Sequence, residues 1–116
     1  RAYEINKGDF DKCLKEINRF QERFGSIITL KLRGLVLNAA MHRLNDFLDS
    51  CARTKTRYGL IICGKGIGSK DEPVIKNSTL ETLRSDDRIA EYIPVLNEDN
   101  DFGSLYVVFK TAHPVK

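Results

Sequence analysis

From Phe10 onward, apolar residues return every three or four positions, at Cys13, Leu14, Ile17, Phe20 and Phe24. That spacing puts them on one face of a helix. Asp9 is suited to cap its start and Gly25 to stop its end. The period then changes. In SIITLKLRG, Ile28, Leu30 and Leu32 alternate with Thr29, Lys31 and Arg33, and Gly34 follows. A period of two predicts a strand. Asn38 can cap a second helix with an inward stripe of Ala40, Leu44, Phe47, Leu48 and Cys51. Its outer face carries His42, Arg43, Asp46 and Asp49. RYGLIIC, residues 57–63, is nearly all apolar after Tyr58, as an interior parallel strand requires.

A third helix is expected to begin near Pro73, which suits a first helical turn. Ile75, Thr79 and Leu83 would face inward, with Val74 and Leu80 as further candidates. IAEYIPV, residues 89–95, reads as a strand that Pro94 either ends or marks as an edge. After the polar connection LNEDNDFG, SLYVVFK (residues 104–110) reads as the last strand, and the tail TAHPVK is expected to fray. The order is thus a helix followed by β-α-β-α-β-β. Two strand–helix–strand steps favour a parallel start, and the short final connection favours an antiparallel end. The fold class is α/β, with helices packed on one sheet.

Composition supports a single domain. The 116 residues are 41% hydrophobic and 30% charged, ordinary for a soluble globular protein with its own core. No apolar run approaches the roughly 20 residues of a membrane helix, and no signal-peptide pattern opens the chain. The chain begins with Arg1 and reads as a piece of something longer. Cys13, Cys51 and Cys63 are odd in number and lack zinc-ligand spacing. They read as reduced thiols of an intracellular protein whose compartment is not specified.

Charge changes the picture more than composition does. The net charge is only +3, but residues 1–70 carry 14 Lys and Arg against 7 Asp and Glu. Residues 71–101 carry 3 against 9. Arg53, Lys55, Arg57, Lys65 and Lys70 share one segment without an acid. A basic segment beside glycines suggests an anionic partner with a phosphate backbone, against the plainer reading of a solvated surface.

The glycines lie in LIICGKGIGSK, residues 60–70. GLIICGKG matches G-x-x-x-x-G-K, but Gly66 replaces the magnesium-binding hydroxyl, and the residues between the glycines read as a buried strand. GKGIG is not a dinucleotide fingerprint either. A glycine turn can still expose backbone N–H groups, and the amino end of the following helix favours anions. Lys31 and Arg33 end the first predicted strand on one face, and the glycine loop leaves the second. If the two strands are parallel neighbours, Lys31, Arg33 and Lys65 converge at their carboxyl ends, where open α/β sheets bind ligands. Arg33 suits a bidentate phosphate contact and Lys31 a point-charge one. His42 and His113 read as surface residues, and Cys63 as a small buried hydrophobe. The acids of NEDND and Asp86 and Asp87 read as solvated loop and turn residues.

Taken in order, these motifs resemble the Smr (small MutS-related) domain across about residues 29–110. LKLRG stands where the family shows L-D-L-H-G or L-D-L-R-G, and CGKGIGS where it shows H-G-K-G or T-G-x-G. VIKNSTLETLRSDDRIAEY looks like the family's second helix and next strand, and DFGSLYVVFK like its closing turn and strand. The resemblance implies a two-layer βαβαββ sandwich similar to the C-terminal domain of bacterial translation initiation factor three. An extra N-terminal helix precedes it, so that residues 1–26 form an extension, 27–112 the domain and 113–116 a tail. It implies binding of DNA or RNA and, in several members, nicking by an endonuclease activity.

The contacts that the resemblance implies are at Arg33, Gly64, Lys65 and Gly66, with Lys31, Arg57 and Lys70 widening the basic surface. Arg33 and Lys65 are the weak catalytic candidates. The family's motif aspartate is Lys31 here and its histidine or threonine before the loop is Cys63, so a base or metal-holding carboxylate expected at this edge is replaced. No cofactor is evident from the motifs; a divalent metal would enter only with nuclease chemistry. Besides nucleic acid, other domains of a longer parent protein are expected partners, and a membrane is not. Two rival functions stand beside it on the same fold. One is a catalytically inactive protein-interaction module with the acidic 71–101 segment facing its partner. The other is an enzyme acting on a small phosphorylated ligand at the loop.

Overall fold

The computed structural model describes residues 7–24, 27–64, 72–96 and 102–110. The elements run α1 (Lys7–Phe24), β1 (Ile28–Lys31), α2 (Leu37–Arg53), β2 (Tyr58–Ile62), α3 (Glu72–Ser85), β3 (Ile89–Leu96) and β4 (Phe102–Phe109). The strands form one sheet in the order β1-β2-β4-β3. β1 and β2 are parallel neighbours, with Leu30 opposite Ile61 and Lys31 opposite Ile62. β4 is inserted antiparallel between β2 and β3. This places β3 at an edge, where Pro94 costs no interior ladder bond, and the β3–β4 register shifts between Pro94 and Leu96.

The main core lies between one sheet face and the helices α2 and α3. Ala40, Leu44, Phe47, Leu48 and Cys51 of α2 are buried against Leu30, Leu32, Ile61, Leu105 and Val107. Ile75 and Leu83 of α3 join them, and Thr79 between those two is also fully buried. This is the expected two-layer arrangement. The helix α1 adds a layer on the other face. Its Ile17 is fully buried with Ile27, Tyr58, Ile93 and Val108. The Tyr58 hydroxyl donates to the Glu16 carboxylate at 2.7 Å, which ties helix to sheet. The side chains of Phe10, Cys13, Phe20 and Phe24 lie outside the described residues.

Several local expectations are corrected. Asp9 is not a cap, because α1 already runs from Lys7; Gly25, one residue beyond its end, lies outside the described residues. Asn38 is not a cap either. Val36, in extended conformation, holds that position without a side-chain cap bond, and its carbonyl accepts from the Ala40 N–H at 2.9 Å. Ile28 begins the edge strand β1 and is 46% exposed, while Ile27 buries on the α1 side instead. Val74 likewise faces solvent.

Asp86 is no plain surface turn residue. Its carboxylate accepts from the Arg88 backbone N–H (2.8 Å), Nε (3.0 Å) and Nη2 (2.8 Å). Arg88 Nη1 also donates to Asp49 at 2.6 Å. The α3–β3 turn is thereby fastened to α2. That bond to Arg88 holds the Asp86 carboxyl below its ordinary range, with burial opposing it.

Candidate nucleic-acid interface

The edge formed by the carboxyl ends of β1 and β2 is built mainly from backbone hydrogen bonds. Past the last paired residues, the N–H groups of Leu32 and Arg33 both donate to the Ile62 carbonyl, at 2.7 and 3.2 Å. One carbonyl therefore fixes the LKLRG segment to the end of β2. Alternation does the rest: Leu30 and Leu32 are buried in the main core, and Lys31 and Arg33 are exposed. Gly34 turns the chain away with a φ of +87°, a conformation that a side chain would strain.

The glycine motif leaves β2 at the same edge. Cys63 is fully buried in the core. Gly64 has a φ of +84° and is buried. Its N–H and that of Cys63 both donate to the Gly103 carbonyl at 2.9 Å. The Gly64 amide is thus spent inside the fold and is not offered to a ligand; its part is to direct the loop. Lys65, Gly66 and Lys70 lie outside the described residues.

Arg57 stands elsewhere. It precedes β2, at the opposite end of the strand from Gly64. The middle of α1 (Lys12, Lys15, Glu16 and Arg19) flanks it, along with Glu91 and Val108.

Three features of this edge were not read from the sequence. The amino end of α2 has no side-chain cap and no acidic residue in its first turn, so its dipole presents positive potential here. Asn38 concealed this by looking like a cap. The Gly103 carbonyl holds the loop's root, which only the β2–β4 pairing makes visible. Lys76 of α3 lies 4.2 Å from the centroid of the Phe102 ring, a cation–π contact beside the same root; the spacing of Lys76 in a helix and Phe102 in a distant strand carried no signal for it.

Other chemistry is set aside by position. His42 is an exposed helix residue 3.5 Å from Asp46; His113 and the acids 98, 99 and 101 lie outside the described residues. Burial pushes the Cys51 thiol up to about 11, a hydrogen bond with Thr56 partly offsetting it. Cys51 and Cys63 are buried, so neither is placed as a nucleophile. Among the described residues, the donor set at the edge does not suit a divalent metal. Lys31 and Arg33 are cations, the Cys63 thiol faces the core, and hard divalent cations need oxygen ligands. Among the described residues no helix is long and apolar enough to cross a membrane.

Comparison with known proteins agrees with this architecture. The Smr domain family matches residues 30–110, and the chain belongs to that family. The Smr domain of Thermus thermophilus MutS2 superposes with a TM-score of 0.60 at 20% identity, covering 72% of this chain and 99% of that one. YdaL, a stand-alone small MutS-related protein from Escherichia coli, gives 0.64 at 20% identity, covering 77% and 71%. No curated protein matches the sequence.

Proposed function

We propose that this Smr domain binds DNA or RNA by gripping backbone phosphates at the carboxyl edge of β1 and β2. The observation that carries the proposal is the pairing of β1 with β2. It places exposed Lys31 and Arg33 beside the root of the glycine loop, next to an uncapped helix end. Arg33 offers a planar fork to a phosphate and Lys31 a point charge. Lys65, directly after Gly64, and Lys70, six positions after it, extend this charge in sequence. Phosphate contacts position a nucleic acid without reading its bases, which suits an edge made of cations and backbone.

The site is read as a binder rather than a nuclease. Cleavage needs a base or a metal-held water to make the nucleophile. An ammonium, a guanidinium and a thiol inside the core supply neither. Arg33 could stabilise charge on a phosphoryl group, which is a lesser part of that chemistry.

The test is equilibrium binding to single- and double-stranded DNA and RNA at two salt concentrations, with strand cleavage monitored alongside. Two phosphate contacts at Lys31 and Arg33 alone predict a slope of log affinity against log salt of about −1.8 on duplex DNA, or about −1.4 on a single strand. Lys31→Ala and Arg33→Ala should each flatten it by about one contact. Absence of binding at low salt refutes the reading and favours the protein-interaction module. Strand nicking that Arg33→Ala abolishes would make the domain a nuclease.

A further inference from the structure

A second basic feature lies at the other end of the sheet. The α1 residues Lys12, Lys15 and Arg19 recur at spacings of three and four, so they share one exposed helix stripe. They form one wall of an open groove of about 450 Å³. Its sheet side is Val108 and the Glu91 paired with it, together with Arg57 at the start of β2. Four cations therefore face two carboxylates, Glu16 and Glu91. Glu16 already accepts the Tyr58 hydroxyl bond, and the Arg57 guanidinium lies 5.6 Å from the centroid of the Tyr58 ring. The groove is thus a built concavity with surplus positive charge, and its shape depends on α1 being docked.

We infer that this groove is a second phosphate-backbone contact, through which α1 holds the same nucleic acid as the motif edge. The inference rests on the proposed function and extends it to a helix that the family match does not include. Spacing supports a shared ligand. Arg57 and Gly64 flank β2 seven positions apart, which is about 20 Å at strand rise. Duplex DNA rises 3.4 Å per base pair, so about six base pairs cover that distance. A small polyphosphate would fill the groove but could not reach the edge.

The test compares the parent with the triple variant Lys12→Gln, Lys15→Gln, Arg19→Gln and the charge-retaining triple Lys12→Arg, Lys15→Arg, Arg19→Lys. The probe is a 20-base-pair duplex DNA, a 20-nucleotide RNA or the corresponding single-stranded DNA, whichever the parent binds most tightly. Thermal melts establish that all three proteins are folded. The neutral triple should flatten the salt slope by two to three contacts and weaken low-salt binding about 10- to 100-fold. The charge-retaining triple should match the parent. Parent binding with an unchanged slope in the neutral triple overturns the groove and leaves the motif edge standing. A parent that binds none of the probes overturns the proposed function and the groove with it. Equal loss in both triples marks a structural helix and also overturns the inference. So does competition by tripolyphosphate at the groove without loss of nucleic-acid affinity in the neutral triple.

Discussion

The contact that seats α2 on the sheet is tight enough to test by adding one carbon. Gly59 lies in β2 between Ile28 and Val107 in register, so its backbone is held from both sides. A Cβ at this position would lie 2.9 Å from Cζ of Phe47 and 3.3 Å from a methyl of Val107. Carbon atoms pack best at about 3.5–4.0 Å, so something must move by about 0.6–1 Å. Phe47 is 8% exposed and part of the main core, which leaves its ring little room. Overpacking of this kind costs about 1–3 kcal/mol. Replacing glycine also stabilises by about 0.4–1 kcal/mol through the unfolded chain. The net loss for Gly59→Ala is about 1–2 kcal/mol, or a Tm lower by about 4–8 °C at this size. Urea unfolding measures it directly. Phe47→Leu should relieve the clash, so the double variant should be more stable than the two single losses predict, by at least about 0.5 kcal/mol. A Gly59→Ala protein as stable as its parent, or strict additivity in the cycle, would refute the close-contact account.

Three further outcomes are expected. Gly34 has a φ of +87° with open space where a Cβ would go, so Gly34→Ala should lose about 1 kcal/mol through backbone strain alone. Gly34→Asn should lose less, since asparagine tolerates that conformation, and equal losses in a urea titration would count against strain as the cause. The Thr79 hydroxyl is buried without a hydrogen-bond partner, so Thr79→Val should raise stability by about 1 kcal/mol; a lower unfolding midpoint would mean that the hydroxyl is satisfied. Asp86→Asn should cost about 1 kcal/mol at pH 7, a modest figure because Arg88 is 38% exposed and screened by solvent. The Asp86 carboxyl is depressed in the fold, so its contribution is complete above its unfolded value and fades as pH falls through the lower folded one. The gap between parent and variant should therefore close below about pH 4, and a gap independent of pH would remove the ion pair from the account.

Much of the fold was legible because periodicity reports burial. The α2 stripe, the inward Ile75, Thr79 and Leu83, and the apolar β2 each follow from one buried face and one repeat length. Helix starts were less legible. Asp9 and Asn38 have capping side chains, yet α1 begins earlier and α2 is entered through an extended valine. A cap contributes only about 1 kcal/mol, so the packing of the following face decides where the helix begins. Asp86 was misread for a different reason: its partners are Arg88 nearby and, through Arg88, Asp49 on another element, and no local pattern encodes a contact across 39 positions.

The candidate site was legible in part, and the divide follows strand geometry. Lys31 and Gly64 are 33 positions apart, yet a parallel pairing brings their strand ends together. Arg57 is only seven positions from Gly64 and was grouped with it by charge. A strand is the most extended form of the chain, so those seven residues carry Arg57 about 20 Å away, to the end of the sheet where α1 docks. Closeness in sequence thus separates charges on a strand, while the crossover helix unites distant ones. The basic surplus of residues 1–70 is divided by β2 into two cationic regions, one at each end. A nucleic acid that neutralises both must run along the sheet, and the salt slope counts how many of these cations it meets.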